Sequence, residues 1–206
     1  MKSPISSFCT LDIETTGLDH EKHAILEIAC CSFDSNLKDT EEFESGVMRI
    51  YDNREITQGA LIANGITRDQ IANGLDSKEV VEKLCQYFDR QKDGRNKPVL
   101  LGHNIDNFDI PFLLNFFEFH KKDLLKYVNT DFTIDSMWWS RVRWTEQTNF
   151  KLGTCCESAK VELINAHRAI NDTRANKELV KYFIRNLRSD LSLDQQQSSY
   201  RKTFEF

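Results

Sequence analysis

The sequence predicts an α/β fold, one β-sheet covered by helices, and three observations predict it. The first third of the chain holds three strand-like runs separated by polar turns. From about residue 57 onward apolar residues recur at helical spacing, interrupted by short buried strands. The 206 residues contain no long Pro- or Ser-rich linker, so one compact core accounts for the chain.

Taken in order, the strand-like runs cover residues 8–14, 25–33 and about 43–50, with turns such as Asp34-Ser35-Asn36 between them. Short helices are expected at 57–64 and 67–72. Residues 77–88 place Val80, Val81, Leu84, Tyr87 and Phe88 on one helical stripe, with Ser77 as N-cap. The charged stretch 89–97 reads as a loop, and 98–103 (Pro-Val-Leu-Leu-Gly-His) as a buried strand. Phe112, Leu113, Phe116 and Phe117 mark a helix beginning near Pro111, a residue suited to a first turn. Residues 132–134 make one more short strand, and helices follow at 136–144, 151–160 and 170–187. The tail 189–206 has no sustained periodicity and is expected to lack fixed structure. Its closing Thr203-Phe204-Glu205-Phe206 reads as a frayed terminus, with a docking peptide as the alternative.

Composition narrows the function. A net charge of −5 and a pI near 5.6 exclude a protein that grips nucleic acid through a broad basic surface. They leave room for a metal-dependent enzyme whose ligands supply part of that charge. The six cysteines lack zinc-binding spacing and read as buried thiols of a reducing compartment. No apolar run reaches membrane-spanning length and the first residues do not resemble a signal peptide, so a soluble, intracellular, cytoplasmic protein is expected.

The chemistry concentrates in three segments. In Phe8-Cys9-Thr10-Leu11-Asp12-Ile13-Glu14 the strand alternation puts Asp12 and Glu14 on one face and Leu11 and Ile13 on the other. Two carboxylates side by side in a half-buried sheet repel and lose hydration, and the stretch has no Lys or Arg to offset them. A divalent cation is the natural partner. The second segment is 103–112, where Asp109 shares a helical face with Phe112, Leu113 and Phe116; a helix cap is the alternative reading for it. In the third, Asp172 lies on the stripe through Ala175, Leu179 and Phe183, where an unpaired carboxylate would cost several kcal/mol. His167, five residues earlier, falls on the loop before that helix.

These segments together resemble the DEDDh 3′-to-5′ exonucleases of the ribonuclease-H-like fold, a family that includes polymerase proofreading subunits and RNase T. The likeness covers roughly residues 8–187, and implies a single exonuclease domain over 1–188 with a mixed sheet, a three-stranded antiparallel meander plus parallel strands. Asp12 and Glu14 in Asp-Ile-Glu-Thr-Thr-Gly resemble the first motif, Asp109 in Asn-x-x-x-Phe-Asp the second, and His167 with Asp172 the third. Asn64-Gly65-Ile66-Thr67 is similar to the family's Gly-Ile-Thr turn, and 151–159 to the helix before the third motif. Asp106 and Asn107 lengthen the second motif by one residue relative to the proofreading subunits, which leaves Asp106 as a rival to Asp109.

The resemblance implies that Asp12, Glu14, Asp109 and Asp172 hold two divalent cations, Mg²⁺ or Mn²⁺, about 3.5 to 4 Å apart, as in two-metal phosphodiesterases. It makes His167 the group that takes a proton from the attacking water, a role open to histidine because the unperturbed imidazole pKa, about 6.5, is close to working pH. Thr15, Thr16, Gly17 and Leu18 would hold the terminal nucleotide, with ordinary turn residues as the alternative for the threonines. His103, Asn104 and Phe108 would line the same cleft, His103 reading equally as a hydrogen-bonded histidine at a strand end. The substrate implied is nucleic acid with a free 3′ end, single-stranded DNA first and RNA as the alternative, with a DNA polymerase or another replication or repair protein as partner. A non-catalytic module binding nucleic-acid ends or a polymerase is the rival from another class. The stretch 137–144 mixes aromatic and basic residues as a single-strand binding surface would, but its spacing more simply assigns Trp138 and Val142 to the core and the arginines to solvent.

Overall fold

The structure, a computed structural model, describes the backbone of residues 7–203 and the side chains of 7–189. Five strands form one sheet: β1 (Ser7–Thr15), β2 (Ile25–Asp34), β3 (Asp39–Glu44), β4 (Val99–Gly102) and β5 (Asn129–Asp135). Their order is β3-β2-β1-β4-β5. β1 pairs antiparallel with β2, and β2 with β3, while β4 joins β1 in parallel and β5 joins β4 in parallel. This is the expected meander with parallel strands added beside it. β1 is the strand at which the pairing changes sense, and the carboxyl end of such a strand is where an open sheet offers a crevice.

Alternation along the central strands sends residues to two covered faces. Cys9, Leu11 and Ile13 of β1 and Ile28 and Cys30 of β2 pack on α3 (Ser77–Arg90) and α4 (Asp109–Phe119) through Val81, Leu84, Phe88, Phe112 and Phe116. Phe8 of β1, Phe33 of β2 and Leu101 of β4 face the other way, onto Val180 and Ile184 of α7 (Ala169–Thr203). β2 is therefore buried along nearly its whole length, and Glu27 is the one charged residue inside its run from Ile25 to Phe33. The edge strand β3 is acidic and half exposed, which discourages pairing with another chain. α7 is tied to it by Arg174 on Glu42 and by the buried Lys177 and Lys181 on Asp39.

Several boundaries differ from expectation for identifiable reasons. β3 ends at Glu44 instead of running from 43 to 50, because Gly46 adopts φ +70° and turns the chain. Beyond it Met48 still donates to the Leu26 carbonyl, so the segment follows β2 without continuing the strand. Asp76, not Ser77, caps α3, accepting from the Lys78 amide. α4 starts at Asp109, two residues before Pro111. In α5 (Ser136–Arg143) the inward stripe is Ser136, Trp139 and Ser140, not Trp138 and Val142, which are 52% and 80% exposed. The small serines let this helix approach closely while Trp139 meets Phe183 edge-on. α7 runs to Thr203, so the backbone of 189–203, expected to lack fixed structure, is helical. The docking peptide read in the last residues falls outside the described residues apart from the Thr203 backbone. α1 (Gln58–Asn64), α2 (Arg68–Ala72) and α6 (Leu152–Ala159) lie where the sequence placed them. All six cysteines are free and buried, and no helix of the described residues is long and apolar enough to cross a membrane.

Candidate active site

Asp12 and Glu14 project from β1 toward α7, on the face opposite Leu11 and Ile13. Carboxylate oxygens of Asp12, Glu14 and Asp172 come within 4.8 Å of one another, although 158 residues of chain separate Glu14 from Asp172. Asp109, the first residue of α4, is 3% exposed and lies near enough for its charge to act on Asp12. It does not cap its helix. The N-cap is Phe108, which makes no side-chain bond, and Asp109 Oδ1 has no hydrogen-bond partner among the described residues. Asp106, its rival, is exposed and accepts from Thr133 Oγ1 at 2.7 Å, away from the cluster.

The electrostatics follow from crowding like charges at the edge of a core. Burial, and then the charges of Asp109, Asp172, Glu14 and Glu27, push the Asp12 carboxyl well above its usual range. Burial with Asp172 and Glu27 raises Glu14 to about 7, against the opposing pull of Arg168 and Asn64. Burial raises Asp109 to about 8, aided by Asp135 and Glu14, while its own amide and that of Ile13 pull the other way. Burial also raises Asp172, although the His167 amide and charge pull it down. Such a set is stable with protons or with a cation in place. Clustered hard oxygens, one of them buried with no partner, fit a divalent cation of the Mg²⁺ or Mn²⁺ type. Asp12, Glu14 and Asp172 could hold it, with Asp109 adjacent.

His167 sits on the exposed loop before α7, where the sequence placed it. Its φ is +69° and its amide donates to Asp172 Oδ2 at 2.9 Å, so loop and carboxylate are linked directly. The turn after Glu14 is largely internal. The Thr15 hydroxyl donates to the Gly17 carbonyl, while the fully buried Thr16 hydroxyl donates to the Glu55 carbonyl and accepts from the Ala24 amide. Both side chains hold the turn together in this conformation. Leu18, 85% exposed, is the member of the segment that faces solvent.

Gly17 is required by a close approach. A Cβ there would lie 2.6 Å or less from three atoms of the His23 ring, which is buried and held by the Asp19 backbone. Gly17→Ala is expected to displace the turn and destabilise the fold by about 1–3 kcal/mol, read from urea unfolding midpoints. An unchanged midpoint would mean that the ring moves aside without cost.

His103 is engaged at both nitrogens, Nδ1 with Ser136 Oγ at 2.9 Å and Nε2 with the Phe150 carbonyl at 2.7 Å. Since a carbonyl only accepts, Nε2 carries the proton and Nδ1 accepts from the serine. Its strand-end reading describes this geometry. Asn104, at φ +69°, donates its amide to Asp135 Oδ1 at 2.9 Å, and Phe108 is partly buried against Phe112.

Four residues at the site, Asn64, Asp135, Glu27 and Arg168, were given no role by the sequence. Asn64 donates to the Thr15 carbonyl at 3.1 Å and ties the Asn-Gly-Ile-Thr turn to the end of β1. Asp135 anchors the Asn104 turn. Glu27 stands directly across from Glu14 in the β1–β2 register and is gripped by Arg168. An acid inside the otherwise apolar run Ile25-Leu26-Glu27-Ile28-Ala29 was the available signal, by the reasoning that singled out Asp12 and Glu14.

Comparison with known proteins agrees with this geometry. A family model described as Exonuclease, the RNase T type, matches residues 9–180. The chain belongs to this exonuclease family. Among its relatives, the PolC-type DNA polymerase III of Caldanaerobacter subterraneus is 30% identical over 174 residues, covering 84% of this chain and 11% of the polymerase. That of Lacticaseibacillus paracasei is 31% identical over 175 residues, covering 85% and 11%. The exonuclease chain thus spans about a tenth of the length of these relatives. In fold it is similar to E. coli Exonuclease I bound to a dT13 oligonucleotide, with a TM-score of 0.71, 21% identity, and coverage of 85% of this chain and 40% of that one. Exonuclease I of Methylocaldum szegediense gives 0.70 at 19% identity, with 85% and 40% covered. The sheet is the ribonuclease-H-like one.

Proposed function

We propose that this exonuclease domain hydrolyses phosphodiester bonds at the 3′ end of single-stranded DNA and releases 5′-mononucleotides, using two divalent cations, Mg²⁺ or Mn²⁺. The observation that carries the reading is the meeting of Asp12, Glu14 and Asp172 within 4.8 Å, with the buried Asp109 carboxylate, whose Oδ1 has no hydrogen-bond partner, close to them. Asp12, Glu14, Asp109 and Asp172 hold the cations. When bound, they polarise the phosphate and make the attacking water more acidic. His167 takes a proton from that water, from a loop open to solvent and linked to Asp172. The bond to the leaving 3′ oxygen breaks as the new P–O bond forms, and the terminal nucleotide departs with its phosphate on the 5′ carbon. Leu18 and Phe108, with the Asn104 turn, form the surface offered to the last nucleotides, and the buried Thr15, Thr16 and Gly17 hold Leu18 in place. His103 supports this surface from behind.

Exonuclease I structures holding oligonucleotides support a DNA strand as substrate. The PolC-type names of the relatives support a replicative DNA polymerase as the partner. RNA is the second reading, because the family model carries a ribonuclease's name.

The test is digestion of 5′-labelled single-stranded DNA and its RNA counterpart with Mg²⁺ or Mn²⁺, against EDTA. A metal-dependent ladder shortening from the 3′ end supports the proposal and reports the preferred sugar; no cleavage of either strand under any metal would leave a binding module. His167→Ala is expected to slow the reaction by about 10²- to 10⁴-fold with Mn²⁺ affinity retained. A variant that keeps the wild-type rate would remove His167 from the chemistry.

A further inference from the structure

Glu27 is a fifth carboxylate beside the four, and its placement is unfavourable on its own. It is 2% exposed, sits directly across from Glu14, and raises both Asp12 and Glu14. Like charges opposite one another on adjacent strands destabilise a sheet. Nor does it join the group of oxygens within 4.8 Å formed by Asp12, Glu14 and Asp172. What it holds is Arg168: Nε meets Oε2 at 3.2 Å and Nη2 meets Oε1 at 2.7 Å, a two-pronged fork that fixes direction as well as distance.

Arg168 is the residue after His167 and the one before α7. Its carbonyl accepts from the amides of Asn171 and Asp172, which begins the helix, and the next two residues, Ala169 and Ile170, pack on Ala29 and Cys31 of β2. The other side of His167 is looser. Residues 164–168 are exposed, and both Asn165 (φ +50°) and His167 (φ +69°) are held in the left-handed region, which side-chain-bearing residues rarely adopt. The His167 position is therefore set by its own amide on Asp172 and the Arg168 fork on the sheet, with the Asn171 side chain holding the Asn165 carbonyl two residues earlier.

We propose that Glu27 and Arg168 act as a pair of positioning residues, a clamp from β2 that holds the His167 imidazole over the carboxylate cluster. The proposal rests on the reading of His167 as the group that receives the proton. Glu27 thus adds a charge to an acidic site in order to anchor the loop that carries its base, and Arg168, nearly half exposed, neutralises that charge from the rim.

The test uses Arg168→Lys, Glu27→Gln, and a double variant, Glu27→Met with Arg168→Met, each made with His167 present and in a His167→Ala background. With His167 present, the double variant is expected to lose about 30- to 100-fold in kcat, with KM for the oligonucleotide and Mn²⁺ affinity by calorimetry within about threefold. Arg168→Lys, which keeps one prong, should fall between it and wild type. In the His167→Ala background none of the substitutions should reduce the rate further, because the clamp acts through the missing ring. A loss that multiplies that of His167→Ala, or one that appears as weakened Mn²⁺ binding, would overturn the clamp and make the pair a support of the cluster itself. If His167→Ala alone keeps the full rate, the base reading fails, and the clamp with it. Should the double variant melt far below wild type, the two single variants, compared in both backgrounds, decide.

Discussion

Asp12→Asn is expected to abolish metal-dependent trimming of a 5′-labelled strand, by at least about a thousand-fold, equivalent to roughly 4 kcal/mol of lost transition-state stabilisation. Asp12 is the residue on which the cluster converges: Asp109, Asp172, Glu14 and Glu27 all act on its carboxyl. Losing one of the few oxygens proposed to hold the cations removes more than any change at the rim. The same substitution should raise the thermal midpoint of the protein in EDTA, since an amide of the same shape relieves both repulsion and desolvation. Activity and metal-free stability therefore move in opposite directions, which a general folding defect would not produce. An Asp12→Asn protein that retained a tenth of the wild-type rate would sink this account of the site.

The second large effect is on stability against pH. Burial raises Asp109 to about 8 and Glu14 to about 7, from ordinary values of 3.8 and 4.5. A carboxyl raised in this way binds its proton more tightly folded than unfolded. Its favourable contribution is complete below the unfolded value and is lost as pH climbs through the folded one. In EDTA the thermal midpoint should accordingly fall between about pH 5 and about pH 8, by on the order of several kcal/mol or roughly 10 °C for a domain of this size. Mn²⁺ replaces the protons with a stronger positive charge, so its stabilising effect should be largest at the alkaline end of that window. Differential scanning fluorimetry at three pH values, with EDTA and with Mn²⁺, reads both effects. A midpoint that stayed level in EDTA and ignored Mn²⁺ would mean that the carboxylates are neither strained nor ligands.

The elements were readable from the chain in proportion to how local their causes are. α3 shows its stripe of Val80, Val81, Leu84 and Phe88 because helical periodicity is a property of about a dozen consecutive residues. The end of β3 was not readable in the same way. Val47, Met48 and Ile50 continue the apolar pattern after Glu44, and a single left-handed glycine decides that they leave the strand. The inward face of α5 was misread because Trp138 and Val142 carry the apolar bulk. The fold buries Ser136 and Ser140 instead.

The sequence by itself determined that Asp12 and Glu14 share a face, that Asp109 and Asp172 lie on the apolar sides of their helices, and that His167 precedes the last one. Alternation and the helical repeat impose those relations whatever the rest of the chain does. Only the tertiary structure decided that three of these carboxylates meet, that Asp109 is buried with its Oδ1 unbonded while Asp106 accepts from Thr133 at the surface, and that both nitrogens of His103 are already bonded. It also revealed the Glu27 to Arg168 fork, which joins residues 141 positions apart in the chain. Local pattern specifies which way a side chain points from its own element, whereas the groups facing it come from strand order and register, which long-range packing selects.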